Sequence, residues 1–249
     1  MTEAAEATGA AGAAARTVLV TGGGSGIGRA VAARFAADGS RVIITGRRPD
    51  ALAETAADLG VEAFPCDATD PGRTAALAER IDRLDVLVNA AGGLAATPDG
   101  PPLDALLARW RADLAQNLLG AVLTTTALRE RLRPGSAVIS IGSIGAERRG
   151  GSYGAAKAAL AAWNAFFSAE AAPHGITANV IAAGYVADTA FFGGALPEAR
   201  RTALLAETHN GRAGAPEDIA ATAHFLASPG ARHITGQTLH VNGGAHTTR

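Results

Sequence analysis

Two kinds of stretch alternate along this chain. The first is short and almost continuously apolar: TVLVT (17–21), RVIITG (41–46), VEAFPCD (61–67), DVLVNA (85–90), AVISIGS (137–143), ITANVIA (176–182) and QTLHVN (237–242). Their lengths and β-branched content read as strands, and the lack of apolar–polar alternation predicts burial on both faces. Between them lie runs with helical periodicity: RAVAARFAADG (29–39), PDALAETAADLG (49–60), PGRTAALAERID (71–82), a long pattern from about Leu103 to Leu132, YGAAKAALAAWNAFFSAEAA (153–172) and PEDIAATAHFLAS (216–228). Gly60 supplies a helix stop, and Pro71 suits the first position of the third helix. Strand and helix in strict alternation predict an α/β domain of Rossmann-like, doubly wound type, a parallel sheet of seven strands with helices on both faces. With no linker or repeat inside, residues 17–249 read as one Rossmann-like domain, and the Ala-rich residues 1–16 as a disordered tail.

Composition narrows the function classes. With 48% apolar residues in 249, the chain can bury a sizeable core. A formal net charge of −1 gives no electrostatic case for nucleic acid or an anionic membrane. No apolar run approaches membrane-spanning length, and the start has no basic region leading into an apolar one, so a cytoplasmic protein is expected. One cysteine, Cys66, excludes an internal disulfide and reads as a small core residue. The six histidines, His174, His209, His224, His233, His240 and His246, show no metal-ligand spacing, and no metal is expected.

The first strand runs into GGGSGIG (22–28) and then a helix. Ile27 fills the third glycine position of G-x-G-x-x-G, yet the physical need is the same: a tight turn, close backbone approach to phosphate, and a helix N-terminus facing it. After the second strand, where a carboxylate would accept from the ribose 2′-hydroxyl of NAD, stand Gly46, Arg47 and Arg48. Guanidinium groups suit a 2′-phosphate, which favours NADP(H) over NAD(H).

Tyr153 and Lys157 stand four apart on a helix, one turn from each other on one face. Ser143 ends the fifth strand and is brought toward that helix start; Ser140 is the alternative hydroxyl. A phenol ordinarily titrates near 10. An ammonium about 4 Å away, at an effective dielectric near 20, is worth roughly 4 kcal/mol, a ceiling of about three pKa units of lowering. The expectation is a Tyr153 phenol drawn down toward working range.

Thr21-Gly22-x-x-x-Gly26-x-Gly28, Asn89-Ala90-Ala91-Gly92, Asn117, Ser143 and Tyr153-x-x-x-Lys157, with the ending GRAGAPEDIAATAHFLASPGARHITGQTLHVNGG, resemble the compact, single-domain branch of the short-chain dehydrogenase/reductase family. The resemblance covers about residues 17–244. It implies hydride transfer between NADPH and a ketone or secondary alcohol, as in 3-oxoacyl-carrier-protein reductases and secondary-metabolite ketoreductases. It further implies that Gly22, Ser25, Gly26, Ile27 and Gly28 line the pyrophosphate, Arg47 and Arg48 the adenosine phosphate, and Asp67 and Ala68 the adenine. Asn89, Ala90 and Gly92 would lie beside the ribose, and Gly184, Val186 and Thr189 beside the nicotinamide. Tyr153 would be the general acid, Ser143 would hydrogen-bond the carbonyl, Lys157 would hold the ribose and lower the Tyr pKa, and Asn117 would position a water. A homotetramer is implied.

Three departures from the family pattern stand out. Nine residues separate Ser143 from Tyr153 where twelve is usual, Ala183 replaces a proline after strand six, and Asn242 stands where Asp is common. Arg129, Arg131 and Arg133 could complement a helix dipole or dock an acidic acyl carrier protein; His174 at a position that is often basic in carrier-protein reductases weakens the second idea. Phe191 and Phe192 are candidates for apolar substrate contact. The rival readings are an NAD-dependent alcohol or sugar dehydrogenase, and a non-catalytic dinucleotide-sensing protein; all four of Asn117, Ser143, Tyr153 and Lys157 being present argues against the latter.

Overall fold

The computed structural model describes residues 15–148, 150–193 and 196–248. Most of the expected tail, residues 1–14, lies outside them. The strands are β1 (Thr17–Thr21), β2 (Arg41–Gly46), β3 (Glu62–Pro65), β4 (Leu84–Asn89), β5 (Leu132–Ser143), β6 (Thr177–Ala183) and β7 (Thr238–Val241). They form one seven-stranded sheet in the order β3-β2-β1-β4-β5-β6-β7, every pair parallel. The helices are α1 (Gly26–Ala36), α2 (Pro49–Leu59), α3 (Pro71–Glu79), α4 (Pro102–Leu114), α5 (Gly120–Leu128), α6 (Gly151–Ala171), α7 (Glu198–Ala206) and α8 (Pro216–Leu226).

Because successive strand residues point to opposite faces, each of the five inner strands feeds two cores, while the edge strand β3 is largely exposed and β7 only half-buried, against the expected burial of all seven. Val18 and Val20 of β1 join Val31 and Phe35 of α1 and Ile219 and Leu226 of α8 on one face. Leu19, between them, joins Leu77 of α3, Leu128 of α5 and Phe167 of α6 on the other. That two-sided burial is why the strands carry no polar alternation. β1 and β4 are neighbours, and from them the chain builds outward in both directions. The crevice at their carboxyl ends is the switch point where open α/β sheets bind ligands.

The structure corrects the expected long helix from Leu103 to Leu132. α4 gives way to a π-helical turn (Ala115–Leu119) before α5, and after a 3-10 turn (Arg129–Arg131) Leu132 already pairs with Leu84 as the start of β5. π turns inside helices are frequent at functional sites, and this one carries Asn117. The segment after β6 holds a further helix, α7, which the sequence pattern did not delimit. Among the described residues no helix is long and apolar enough to cross a membrane.

Candidate active site

A cavity of about 1440 Å³ opens along the carboxyl edge of the sheet. Its walls include Gly22, Ser25, Gly26, Ile27, Gly28, Arg47, Arg48, Asp67 and Ala68 at one end. Ala90, Gly92, Ser143, Tyr153, Lys157, Gly184, Val186 and Thr189 line the remainder. Two expected residues, Asn89 and Asn117, are buried and do not line it.

The turn between β1 and α1 is glycine by necessity at two points. Gly22 has φ +69°, and a Cβ there would stand 2.9 Å from the Ala91 backbone of the loop after β4. A Cβ on Gly28 would stand 2.3 Å from the Gly22 carbonyl oxygen. The Thr21 hydroxyl fixes the same two loops together by accepting from the N–H groups of Ala90 and Ala91, 3.1 Å each. Ser25, the residue before α1, makes no capping bond, and α1 has no acidic residue in its first turn. The helix end therefore presents its N–H groups and positive dipole with no carboxylate in competition. The Ser25 hydroxyl instead accepts from the Arg48 guanidinium at 3.2 Å, so Arg48 leans toward this turn while Arg47 stays exposed at the rim.

Across the same end, the Asp67 carboxylate accepts from the Thr69 N–H (2.9 Å) and hydroxyl (2.8 Å). Burial alone would raise its pKa, but these bonds and the nearby Arg47 and Arg73 outweigh it and hold the carboxyl below its ordinary value.

At the other end Ser143 and Tyr153 face each other across a short loop. The Ser143 hydroxyl accepts from the Gly145 N–H at 3.0 Å. The shortened loop lies directly on the start of α6, where Gly154 has no Cβ; one would stand 2.3 Å from the Gly145 carbonyl oxygen. Ser140, the alternative hydroxyl, is fully buried, has no hydrogen-bond partner among the described residues and does not line the cavity. Phe191 packs edge-on against Tyr153, ring centroids 5.3 Å apart, so part of the substrate end is walled by an aromatic.

The expectation that Lys157 lowers the Tyr153 pKa is not met in this structure. Burial pushes the Tyr153 phenol up to about 12, against a hydrogen bond with Ser143 and with a further push from the Asp113 charge. Burial likewise pulls the Lys157 ammonium down to about 8. Its Nζ, 5.9 Å from the Tyr153 ring centroid, donates to the Ile141 carbonyl at 2.7 Å. Desolvation penalises both charged forms, and here it exceeds their attraction. Between about pH 10 and 12 the folded state holds the phenolic proton that the unfolded chain has lost, so stability falls across that window; Lys157 acts oppositely between about pH 8 and 10.5. Tyr153→Phe is expected to remove the first decline, of order 2 kcal/mol, leaving wild type and variant with equal pH slopes below about pH 10. Urea midpoints at about pH 9 and 11 check this; a variant that still tracks the wild type above pH 10 contradicts it.

Asn117 is committed elsewhere. Its amide donates to the carbonyls of Gly93 (2.9 Å) and Asp113 (3.0 Å), and its oxygen accepts from the Gly93 N–H (3.0 Å). It fastens the loop after β4 to the π turn, and a Cβ on Gly92 would stand 2.6 Å from its oxygen. Asn89 donates to the Thr125 hydroxyl at 3.0 Å and braces β4 against α5.

Sequence reasoning missed Asp113. Fully buried, it accepts from the Ser152 hydroxyl (2.6 Å) and the Ala95 N–H (2.9 Å), tying α4 to the residue before Tyr153 and to the cavity wall. Nothing in the local pattern marks it: an Asp near the end of a polar helix reads as surface, and only the packing of α4 on α6 buries it.

A family model described as Enoyl-(Acyl carrier protein) reductase matches residues 22–246. The 3-oxoacyl-acyl-carrier-protein reductase FabG of Escherichia coli (strain K12) is 34% identical over 242 residues, covering 93% of this chain and 97% of its own. Galactitol 2-dehydrogenase (L-tagatose-forming) of Cereibacter sphaeroides is 36% identical over 239 residues, covering 90% and 92%. The crystal structure of a short chain dehydrogenase from Burkholderia cenocepacia J2315 in complex with NADP matches with a TM-score of 0.80 at 32% identity, covering 92% and 97%. A sheet of this order, a glycine turn at its switch point and a Ser–Tyr–Lys set facing one cavity agree with these matches, and the chain belongs to the short-chain dehydrogenase/reductase family.

Proposed function

We propose that this protein is an NADP(H)-dependent oxidoreductase that interconverts a ketone and a secondary alcohol. The observation that carries it is one cavity holding a phosphate-suited glycine turn with two arginines at one end and Ser143, Tyr153 and Lys157 at the other. The residues fit a dinucleotide. Gly22 and Gly28 leave a cradle that a Cβ would fill, the start of α1 has no competing acid, and Arg47 and Arg48 flank it. The Gly26, Ile27 and Gly28 region would hold the pyrophosphate, Arg47 with Arg48 the 2′-phosphate, Asp67 and Ala68 the adenine. Ala90 and Gly92 would border the ribose, with Asn89 supporting them from behind; Gly184, Val186 and Thr189 would border the nicotinamide.

When bound, the nicotinamide supplies or accepts the hydride. Tyr153, kept protonated by burial, donates its phenolic proton to the substrate oxygen, and Ser143 hydrogen-bonds that same oxygen as charge develops. Lys157 presents a cation at the cavity wall that can hold ribose hydroxyls, and an anion forming on Tyr153 would bring the two into the attraction expected from their spacing. Asn117 serves by fixing Gly93 and the π turn, with its side chain withdrawn from the cavity.

Leu94, Ile144, Phe191, Phe192 and Leu204 give the substrate end an apolar wall, which favours a carbonyl with hydrocarbon substituents over a polyol. Relatives named for a carrier-protein reductase and for a galactitol dehydrogenase stand at similar identity, so this wall is the feature that separates the readings. The carrier-docking idea loses support: α5 delivers Arg129 and Arg131 to the amino end of β5, opposite the cavity of the same chain, and Arg129 pairs with Glu170 at 3.5 Å. A homotetramer remains part of the proposal. It is supported by exposed apolar side chains on α4 (Leu103, Leu106, Leu107, Trp110) and by Phe166 on α6, which packs on α4. Sedimentation equilibrium giving a monomer would remove it.

The cofactor assignment is tested by comparing kcat/KM for NADPH and NADH. An exposed charge-assisted contact is worth about 1.5–3 kcal/mol, a roughly ten- to hundred-fold preference for NADPH. Arg47→Ala is expected to erase most of that preference with the rate at saturating cofactor nearly unchanged. A wild type preferring NADH, or a variant impaired equally with both, would overturn it.

A further inference from the structure

Glu147, His240 and His246 come together beside the cavity from three places in the chain: the loop after β5, the strand β7 and the C-terminal segment. We propose that they form a binding site for a transition-metal dication of the zinc class, which fastens the substrate loop to the C-terminal segment.

Each residue offers one ligand atom, and these atoms all lie within 4.8 Å of one another. His246 Nε2 is 2.6 Å from Glu147 Oε2, and His240 Nε2 is 3.2 Å from Glu147 Oε1. In a tetrahedral centre with bonds of about 2.0–2.2 Å, neighbouring donors stand roughly 3.3–3.5 Å apart, so opening the Glu147–His246 contact by less than about 1 Å admits the ion. Two imidazoles bound to such a centre would hold their rings roughly 5 Å apart; here the centroids are 5.3 Å apart and the rings are tilted by 39°. Among the described residues His240 Nδ1 is buried with no hydrogen-bond partner, while Nε2 faces the Glu147 carboxylate. Two imidazoles with one carboxylate match zinc, nickel or copper; magnesium and calcium prefer all-oxygen shells. Three protein ligands leave a fourth position for water, as in open sites.

The position gives the ion a consequence. Glu147 adjoins Arg148, and His246 adjoins Ala245; both neighbours line the cavity, and the Arg148 guanidinium donates to the Ala245 carbonyl at 3.4 Å. The C-terminal segment is already folded on itself, the Asn242 side chain accepting from the Gly244 N–H (2.9 Å) and donating to the His246 carbonyl (2.8 Å). An ion on the three residues joins these two walls, which otherwise meet through exposed polar contacts.

The test uses the full chain without an affinity tag, stripped of metal and titrated with Zn²⁺ by calorimetry, and with Co²⁺ to read the visible absorption of a tetrahedral site. One ion per chain is expected, with a rise in the thermal midpoint. Glu147→Gln and His246→Ala should each weaken binding at least ten-fold and remove the cobalt spectrum, and the pair of exposed substitutions His174→Ala and His233→Ala should leave both unchanged. Circular dichroism of each variant without metal shows whether it folds, and His246→Ala, near the chain end, carries the test if Glu147→Gln does not. A wild-type stoichiometry far below one, or binding that survives in a folded His246→Ala chain, overturns the proposal. Neither readout depends on the oxidoreductase reading.

Discussion

Tyr153→Phe is expected to cut turnover by about a thousand-fold or more while leaving NADPH affinity within a few-fold of wild type, the scale of losing a positioned general acid. The change removes a single oxygen. The ring keeps its edge contact with Phe191 and its burial at the start of α6, and Lys157 keeps its bond to Ile141, so the cavity should survive intact. No other described group takes the place of the phenol. Ser143 is tied to the Gly145 N–H and lacks a base, and Asp113 is closed off by Ser152 and Ala95. Single-turnover hydride transfer with NADPH prebound separates chemistry from binding. Activity above about one per cent of wild type would place the proton transfer on another group.

Gly28→Ala should be nearly as damaging by a different route. Its Cβ would meet the Gly22 carbonyl oxygen at 2.3 Å and the Gly22 carbonyl carbon at 2.7 Å, both backbone atoms of a turn that is itself pressed against Ala91. Neither side can yield cheaply, so a loss of roughly 2–4 kcal/mol in stability is expected. Nucleotide affinity should fall more than a hundred-fold, because the turn that moves is the one proposed to meet the pyrophosphate. Gly39→Ala separates this collision from ordinary glycine strain. Gly39, unlike Gly28, has a positive φ (+75°), and a Cβ there would find nothing within 4 Å. It should cost about 1 kcal/mol and leave nucleotide binding alone. Cofactor fluorescence titration and urea unfolding of both variants check the contrast; a Gly28→Ala chain binding within three-fold of wild type would refute it.

The two expectations that changed most concern Tyr153 and Asn117. From spacing, a lysine one turn from a tyrosine suggests an attraction that lowers the phenol's pKa. The sequence carries no measure of how much water each loses. In the folded chain Lys157 is only 5% exposed and Tyr153 9%, and that common desolvation reverses the sign for the site without ligand. Asn117 was legible as a family position, but its side-chain partners depend on the π turn. The pattern from Leu103 to Leu132 did not delimit that turn, because the wider turn lies between two ordinary helices and only shifts the phase of their apolar stripes, while its hydrogen bonds leave no mark in the residue types.

What the sequence alone determined is local in origin. The unalternating apolar runs specified a parallel sheet, doubly covered along its five inner strands, since each strand's two faces are written into its consecutive residues. The glycine turn, Arg47 and Arg48, and the Tyr153–Lys157 spacing placed both ends of the cavity, because each is a short-range geometric device on an element whose direction the fold class sets. Tertiary structure alone decided which polar groups are buried and which distant ones meet. Asp113 becomes a buried latch because α4 packs on α6. Glu147 meets His240 and His246, 93 and 99 residues later in the chain, because β7 closes the sheet beside the loop from β5. Periodicity and spacing fix direction within one element; burial and long-range contact arise only when several elements exclude water together.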